Sequence, residues 1–263
     1  MKSKLKLIIW PLIYLVLIIN VCISFLFVFR SYYFKSIFVS GSSMEPTLNG
    51  NSAGFVDYGL IDDHKKAIDD IKRFQIITCY YPFADSHDYV GGYKHGKENT
   101  VNMDEASYKI KRVYALPNET IKFEVDEDLY NKAISYADPY CEEAQKYAQE
   151  ALSVLVKKNG DLSFVKQEIN FKRKIKISRM MDYANFEEYE LKDGEYWVMG
   201  DNYSASSDCF NKKEPIFYDN IVGVLISING TCKITTKVDE NDDGTKISYR
   251  CKDRKIHWPK YYY

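Results

Sequence analysis

The feature that most constrains the fold is an uninterrupted apolar run near the N-terminus. Residues 7–29 (LIIWPLIYLVLIINVCISFLFVF) contain no charged side chain. A helix rises about 1.5 Å per residue, so this run is long enough to cross a hydrocarbon core about 30 Å thick. Pro11 lies near its start, where a first-turn proline costs little. The run predicts a membrane-spanning helix rather than a buried core helix.

A cleaved secretory signal peptide is the alternative interpretation of this segment. The apolar core of a signal peptide is usually about 7–15 residues long and ends at a small-residue cleavage site. The run here is longer, and the sequence FVFRS at residues 27–31 makes a poor cleavage site. We therefore expect a retained anchor.

The charges beside the run predict its orientation. Lys2, Lys4 and Lys6 precede it, and Arg30 and Lys35 follow it. Because the more positive flank stays in the cytoplasm, we expect the N-terminus there and the rest of the chain outside. The expected divisions are a cytoplasmic tail (1–6), a transmembrane anchor (7–29), an extracytoplasmic domain (30–238) and a charged, Tyr-rich tail (239–263).

Composition narrows the possible functions. The charges of the 36 basic and 37 acidic residues nearly cancel, so the net charge gives no indication of nucleic-acid binding. The six cysteines show no CxxC or Cys/His metal spacing. We favour buried thiols over disulfides, with Cys232 and Cys251 as the one pair worth testing. Because five cysteines follow the anchor, at least one is expected to stay unpaired.

Beyond the anchor, short β-branched and aromatic runs predict a mainly β, antiparallel domain. Residues 83–106 are rich in Gly, Asp, His and Asn and are expected to form an exposed loop. The predicted strands are residues 36–40, 75–81, 108–115, 120–125, 196–199, 221–228 and 232–237.

A helical segment interrupts these strands. Alanines recur at helical spacing among Glu, Gln and Lys within residues 137–158. Asn159-Gly160 then predicts the type I′ turn of a hairpin flanked by residues 154–156 and 162–165. If the hairpin includes residues 154–156, the helix must end near Ala151.

Three polar segments could carry chemistry, and the first is residues 41–48 (GSSMEPTL). A predicted strand ends at Ser40, Gly41 permits an irregular turn, and Pro46 forces the residue before it to be extended. Such a turn can present a serine hydroxyl beside free backbone N–H groups, as acyl transfer requires. The alternative is an ordinary Ser/Gly/Pro loop.

The second segment is the predicted strand at residues 108–113 (YKIKRV). Alternate residues share a face, so Lys109, Lys111 and Val113 point one way, and Ile110 and Arg112 the other. A lysine can act as a base only where burial or a nearby cation lowers its pKa toward neutrality. Taken alone, two solvated lysines are the simpler interpretation.

The third segment, residues 200–208 (GDNYSASSD), follows a predicted strand and is dense in turn-forming side chains. It could orient a base by hydrogen bonding, or it could be an ordinary turn. The four histidines lie outside all three segments, so nothing supports a Ser-His-Asp triad.

Together the three segments resemble the bacterial type I signal peptidases. That family carries an uncleaved anchor and then the motifs G-x-S-M-x-P-T-L, K-R-V-x-x-L-P and G-D-N-x-x-x-S-x-D. Residues 41–48, 111–117 and 200–208 match these motifs in the same order. Residues 73–80 loosely match a hydrophobic strand of the family, and residues 221–223 match its usual ending.

The resemblance implies a signal-peptidase-like β fold and a membrane-bound serine endopeptidase that needs no metal or cofactor. It makes Ser43 the nucleophile and Lys111 the general base. The Ser43 N–H would supply one oxyanion donor. Supporting roles are implied for Ser206, which would aim the Lys111 amine, for Asp201 and Asp208, which would hold the loop, and for Gly41, Met44 and Asn202.

The substrate, by the same resemblance, is the signal peptide of an exported preprotein, with small residues before the cut. We expect it to bind in an extended form, as an added strand. Membrane lipid is an expected partner and the secretion translocon a candidate one. The expected substrate-binding residues are Ile37, Val39, Ser40, Tyr108, Lys109 and Ile110.

Some positions depart from the family pattern. Tyr203 and Phe210 stand where arginines are usual, which leaves the cationic partner of Asp201 and Asp208 open between Lys212 and Lys213. Gly41 stands where some relatives carry a second oxyanion donor. Residues 126–153 look like an insertion.

Two other functions stay open from the sequence. One is a catalytically inactive, membrane-tethered binding module of the same fold. The other is a signal-peptidase-like hydrolase dedicated to few substrates.

Overall fold

A computed structural model of the chain describes residues 2–50, 54–80, 108–241 and 244–262. The predicted loop at residues 83–106 lies outside them. The helices are α1 (Lys2–Tyr33), α2 (Lys65–Asp69), α3 (Glu127–Ile134), α4 (Glu142–Ala151), α5 (Met180–Ala184) and α6 (Cys209–Lys212). The strands are β1 (Lys35–Phe38), β2 (Val56–Asp62), β3 (Ile76–Tyr80), β4 (Tyr108–Ala115), β5 (Glu119–Val125), β6 (Leu152–Lys158), β7 (Val165–Lys166), β8 (Tyr189–Glu190), β9 (Glu195–Met199), β10 (Ile216–Phe217), β11 (Ile221–Asn241) and β12 (Gly244–Tyr261).

The N-terminal apolar run lies within the single helix α1. Large apolar side chains on this helix are exposed, among them Trp10, Leu12, Val21 and Phe25. Over the described residues, no helix qualifies by length and apolarity as a membrane span. The transmembrane anchor therefore stays a prediction.

The larger sheet carries the lysine segment near its middle. Its order is β1-β2-β11-β3-β4-β9-β10, with β12 paired to β11, and the pairings are antiparallel. Lys111 faces Ile77 of β3, and Arg112 faces Met199 of β9. Because β9 pairs with β4 only from Arg112 onward, the first half of β4 has β3 as its one neighbour among the described strands. The predicted mainly β, antiparallel fold is confirmed.

Two buried clusters lie on opposite sides of β3 and β4. The first core contains Ile77, Val113 and Trp197, with residues of both sheets and the helices. The second core comprises Val39, Met44, Leu48, Ile61, Ile76, Ile110, Leu225 and Ile228. Since neighbours on a strand point to opposite faces, Ile76 and Ile77 enter different cores, and β3 is buried on both sides.

The smaller sheet, with the order β7-β6-β5-β8, packs with the inserted helices. Asp126 caps α3 by accepting a hydrogen bond from the Leu129 N–H at 3.0 Å. The apolar stripe of α4 is fully buried through Ala144, Ala148 and Ala151. The helix ends at Ala151 where β6 begins, as the sequence predicted.

The predicted type I′ turn at Asn159-Gly160 is wrong. Gly160 has a φ of +90°, but Asn159 is not among the described residues with positive φ, and a type I′ turn needs both. Val156 pairs with Val165, so the connection is longer than two residues. The Asn159 N–H donates to the Asn118 carbonyl at 3.0 Å, so a neighbouring turn sets this geometry.

The chain ends in a long hairpin of β11 and β12. The two strands predicted at residues 221–228 and 232–237 are one strand, with register shifts between Ile228 and Gly230 and between Thr231 and Lys233. Much of the segment predicted as a tail forms β12.

A disulfide joins Cys232 of β11 to Cys251 of β12. The preference for free thiols was wrong for this pair, whose Cα atoms the hairpin register brings within 5.6 Å. Cys79 and Cys209 are buried free thiols, as expected.

Candidate active site

Ser43 lies in a tight loop between β1 and β2. Gly41 has a φ of +85°, and its N–H donates to the Gly50 carbonyl at 2.9 Å. A Cβ on Gly50 would lie 1.6 Å from the Gly41 carbonyl oxygen, so only glycine lets the loop close. Met44 and Leu48 are fully buried in the second core. The half-buried Ser43 therefore lies between Gly41, which hydrogen-bonds to Gly50, and the buried Met44.

The loop at residues 200–208 lies directly against the serine loop. The Asn202 N–H donates to the Ser43 carbonyl at 3.0 Å, and the Asn202 side-chain amide donates to the Ser42 carbonyl at 3.0 Å. A Cβ on Gly200 would lie 2.3 Å from the Ser43 carbonyl oxygen and 2.4 Å from Ser206 Oγ. Glycine at position 200 is therefore required for this close approach.

Lys111 projects from β4 to the serine hydroxyl. It is 3% exposed, and its Nζ lies 2.8 Å from Ser43 Oγ and 3.1 Å from the Ile110 carbonyl oxygen. Burial lowers the pKa of Lys111 to about 8; the Lys109 cation acts in the same direction, and Asp208 opposes it. A neutral amine can accept the Ser43 proton at this distance, and an ammonium can donate instead.

Lys109 lies on the same face of β4 and is half-buried, so it is the more exposed of the two lysines. This is the order of exposure that the sequence predicted. The second core holds Met44 together with Ile110, which points away from the Lys111 face. A Met44 cover over the Lys111 amine stays a prediction.

The cationic partner of Asp201 is Arg112, rather than Lys212 or Lys213 as the sequence suggested. Arg112 Nε lies 2.8 Å from Asp201 Oδ1, and Nη2 lies 2.6 Å from Oδ2. Asp201 follows β9 by two residues, and the pairing of Met199 with Arg112 brings the carboxylate beside the guanidinium. The sequence does not reveal this ion pair, because Arg112 and Asp201 belong to two different motifs.

Further contacts extend this ion pair into the serine loop. Thr47 Oγ1 donates to Asp201 Oδ2, so the carboxylate also holds the loop that carries Ser43. Arg112 Nη1 donates to the Phe74 carbonyl at 2.7 Å. The Phe171 ring covers the guanidinium, with its centroid 3.8 Å from Cζ.

Asp208 holds the far end of the 200–208 loop. Its carboxylate accepts from the N–H groups of Gly200 and Phe210 at 3.0 and 3.2 Å and from Asn211 Nδ2 at 3.2 Å. Burial raises the pKa of Asp208, although the nearby Ser206 hydroxyl, the Gly200 N–H and the Lys111 cation act in the opposite direction.

Ser206 is nearly buried beside Asp208. Its hydroxyl lies close enough to lower the pKa of that carboxyl, but it has no hydrogen bond of ordinary geometry to any described residue. The hydrogen bond predicted between Ser206 and the Lys111 amine is therefore not formed among the described residues; a supporting role for Ser206 stays a prediction.

Aromatic packing stands where the family usually carries two arginines. Phe210 stacks on Tyr183 with centroids 3.7 Å apart, and Tyr203 stacks on the same ring at 5.4 Å. The Tyr203 hydroxyl donates to the Tyr114 hydroxyl at 2.9 Å. The loop is thus held by Arg112 on one side and by apolar contacts on the other.

The expected substrate-binding residues occupy two strand edges. Ser40 is exposed and Ile37 half-buried, whereas Val39 is 1% exposed in the second core. Among the described strands, β3 pairs with residues 108–112 of β4, and β9 joins the other edge of β4 only from Arg112 onward. The Val39 and Ile110 side chains point into the second core, so an extended peptide would meet their backbone.

One group of potential metal ligands occurs among the described residues, and it lies outside the Ser43–Lys111 contact. It consists of Asp62, Asp63 and His64. Asp63 forms a salt bridge with Lys35 at 2.5 Å, and Asp62 Oδ1 lies 2.8 Å from His64 Nδ1.

Comparison with known proteins covers the site and most of the chain. A family model described as "Signal peptidase, peptidase S26" matches residues 11–228. The chain is 27% identical to signal peptidase I of Bacillus licheniformis over 183 residues, 69% of each chain. Signal peptidases I T and I U of Bacillus subtilis (strain 168) are each 26% identical, over 74% and 84% of this chain and 72% and 86% of their own.

Proposed function

Because the chain belongs to the signal peptidase family, peptidase S26, and is a type I signal peptidase, we propose that it cleaves signal peptides from exported preproteins with a Ser43–Lys111 dyad. The observation that carries the mechanism is the 2.8 Å contact between Lys111 Nζ and Ser43 Oγ at a buried position. The nucleophile and its base are within hydrogen-bond reach of each other.

The chemistry follows from that contact. Neutral Lys111 accepts the Ser43 proton while Oγ attacks the scissile carbonyl carbon. The ammonium then gives its proton to the departing amine, and the peptide C–N bond breaks to leave an acyl-enzyme. Lys111 next takes a proton from water, and the resulting hydroxide attacks the ester carbonyl carbon. The bond between that carbon and Ser43 Oγ then breaks, the Lys111 ammonium returns its proton to Ser43 Oγ, and the new C-terminal carboxyl group of the cleaved peptide leaves. The Ser43 N–H is the proposed oxyanion donor in both halves.

The lowered pKa makes this base usable. With a pKa of about 8, roughly a tenth of Lys111 is neutral at pH 7. A lysine with an ordinary pKa would be neutral in only about one molecule in several thousand. Burial of the amine therefore supplies a base population larger by a factor of several hundred.

Recognition is proposed to occur by strand addition at the edge of β4 opposite β3. Among the described strands, β9 pairs with that edge only from Arg112 onward, so no described strand lies beside the first half of β4 there. A signal peptide in extended form can pair there through backbone hydrogen bonds, which do not depend on the identity of its side chains.

Membrane attachment through α1 is part of the proposal. The charge-free run of residues 7–29 and the exposed apolar side chains of α1 support it. With the N-terminus in the cytoplasm, the peptidase domain would face the opposite side, where exported preproteins emerge. Lipid and the secretion translocon are the proposed neighbours.

The test is cleavage of a preprotein by the full chain and by two serine variants. We expect Ser43→Ala to abolish cleavage, because no nucleophile remains, and to keep the fold. Ser36→Ala, an exposed serine on β1, is the matched control and should cleave normally. A folded wild-type protein that binds a signal peptide without cleaving it would instead support the inactive binding module.

A further inference from the structure

Residues 173–175 lie between helix α4 and the loop that carries Asp201, and we call them the bridging segment. The backbone of Lys174 faces the loop. Its N–H donates to the Asp201 carbonyl at 2.9 Å, and its carbonyl accepts from the Tyr203 N–H at 2.8 Å. Lys174 and Asn202 are thereby paired in a parallel β-bridge, so one edge of the bridging segment belongs to the loop.

The backbone groups of Arg173 and Ile175 face α4 instead. The Ile175 N–H donates to Gln145 Oε1 at 2.8 Å, and Gln145 Nε2 donates to the Ile175 carbonyl at 2.9 Å. The Arg173 N–H donates to Gln149 Oε1 at 2.9 Å. Successive residues of an extended chain direct their backbone groups to opposite edges. The two glutamine side chains therefore occupy the edge where a neighbouring strand would otherwise pair.

Helix α4 is itself fixed in place. Gln145 and Gln149 are four residues apart and share one face of the helix, whereas its alanine stripe is buried in the first core. The Arg173 side chain is 5% exposed, and its Nη2 donates to the Gln149 carbonyl at 2.6 Å and to the Leu152 carbonyl at 3.2 Å. A cation is favourable at the carbonyl end of a helix. The helix and the bridging segment thus form one hydrogen-bonded unit.

The 200–208 loop in turn contacts the serine loop. The Asn202 N–H donates to the Ser43 carbonyl at 3.0 Å, and the Asn202 side-chain amide donates to the Ser42 carbonyl at 3.0 Å. Hydrogen bonds therefore connect the inserted helix α4 with the nucleophile through two intermediate segments. Lys111 projects from β4, which is a separate element. A shift of the 200–208 loop would therefore change the distance between Ser43 and its proposed base.

From these contacts we infer that Gln145 and Gln149 are positioning residues for the nucleophile, and that α4 holds the 200–208 loop against the serine loop. The inference rests on the proposed function, because it gives the inserted helix a role in that reaction. The glutamines act through the bridging segment rather than by contact with substrate. A displacement of about 1 Å at a reacting group can slow a reaction about 10²-fold, so distant support of this kind affects the rate.

A cleft beside the same helix provides the alternative. A cavity of about 850 Å³ is lined by residues of both α4 and the serine loop, among them Gln145 and Glu45. If a substrate chain were seated there, Gln145 would bind substrate directly. Loss of a binding contact raises KM, whereas loss of positioning lowers kcat, so the kinetics separate the two roles.

Steady-state cleavage of a preprotein by the full chain tests the inference. Gln145→Met keeps the length of the side chain and removes both hydrogen bonds to Ile175. We expect kcat to fall on the order of tenfold to a hundredfold, because Ser43 is no longer held at the Lys111 amine. KM should not change, because the substrate is proposed to pair with β4. The midpoint of the pH profile should not move either, because Lys111 stays buried.

Asp126→Ala is the matched control in the same insertion. It removes the hydrogen bond that caps α3, so it should lower the melting temperature without lowering kcat.

A second pair of variants asks whether one hydrogen bond to the bridging segment is enough. Gln149→Met removes the acceptor of the Arg173 N–H and should lower kcat. Gln149→Glu keeps an acceptor oxygen at that position and should restore most of the rate. If Gln145→Met fails to fold, this pair decides the question, because a merely destabilised helix would not distinguish the two side chains.

Hydrogen exchange gives a readout that does not depend on cleavage. The N–H groups of Asn202 and Tyr203 donate to the serine loop and to the bridging segment, respectively. Both should exchange faster in Gln145→Met than in the wild-type chain, and Asp126→Ala should leave them unchanged.

Three results would count against the inference or the function beneath it. Wild-type kcat together with wild-type exchange in Gln145→Met overturns the positioning role. A raised KM with an unchanged kcat also overturns it, and makes the cleft beside α4 a substrate site. If the wild-type chain cleaves no preprotein, the proposed function fails, and the exchange rates alone decide whether α4 holds the loop.

Discussion

The two faces of β4 bury neighbouring cations in opposite ways. Arg112 is 6% exposed, and its guanidinium forms a bidentate salt bridge with Asp201. Lys111 is 3% exposed, and its amine hydrogen-bonds to the neutral oxygens of Ser43 and Ile110. Burial alone therefore does not decide what a cation does; its closest partners do.

The chemistry of the two side chains suits this division. A guanidinium keeps its charge in proteins and matches a carboxylate with two parallel hydrogen bonds, so Arg112 can clamp loops together. An amine can lose its proton when burial lowers its pKa, as it does for Lys111. The clamp on one face holds the serine loop for the proposed base on the other.

The largest expected effect comes from replacing the proposed base. Lys111→Met keeps the volume and removes the amine, so the cleavage rate should fall about 10²- to 10⁴-fold. The melting temperature should not fall, because an apolar side chain suits the buried position. The measurement is single-turnover cleavage of a preprotein. Cleavage near the wild-type rate in this variant would make the dyad assignment wrong.

Breaking the Arg112–Asp201 ion pair should mainly lower the free energy of unfolding. Arg112→Met leaves the fully buried Asp201 carboxylate without its cation, and we expect a loss of about 3–5 kcal/mol in the free energy of unfolding. Urea denaturation measures this. Adding Asp201→Asn should restore part of the loss, because the remaining side chain is neutral. Equal stability of Arg112→Met and wild type would refute the clamp.

The pH profile tests the base directly. Since neutral Lys111 is the proposed active form, cleavage should rise about fivefold from pH 7 to pH 8 and level off above its pKa of about 8. The unfolded chain, with an ordinary lysine, binds the proton more tightly, so the free energy of unfolding should also rise between about pH 8 and 10.5. Lys111→Met should remove that rise in stability. A flat cleavage profile over this range would count against Lys111.

The smallest expected effect is that of Lys109→Met, the matched control on the same face. The cleavage rate should change less than about twofold, because Lys109 is only half-buried and carries no proposed step. Its cation helps to lower the pKa of Lys111, so removing it should move the midpoint of the pH profile slightly upward. A midpoint that moves downward would contradict this arrangement.

Local patterns predicted much of the fold. Alternation on β4 separated Lys109 and Lys111 from Arg112, and the alanine spacing with the following strand placed the end of α4 at Ala151. The type I′ turn failed because the Asn118 carbonyl, from another turn, holds Asn159. Strand β12 was missed because its charged, irregular sequence shows no clear alternation, whereas most of β11 was predicted as two separate strands.

The sequence by itself determined which residues could react and which local shapes they take. Serine in a glycine-bounded turn, lysine on a strand and glycine at position 200 follow from residue type and short spacing. Only the tertiary structure decided that Lys111 meets Ser43, 68 positions away, and that Arg112 rather than Lys212 meets Asp201, 89 positions away. Burial and ion pairing depend on which distant segments pack together, so a local sequence pattern cannot predict them.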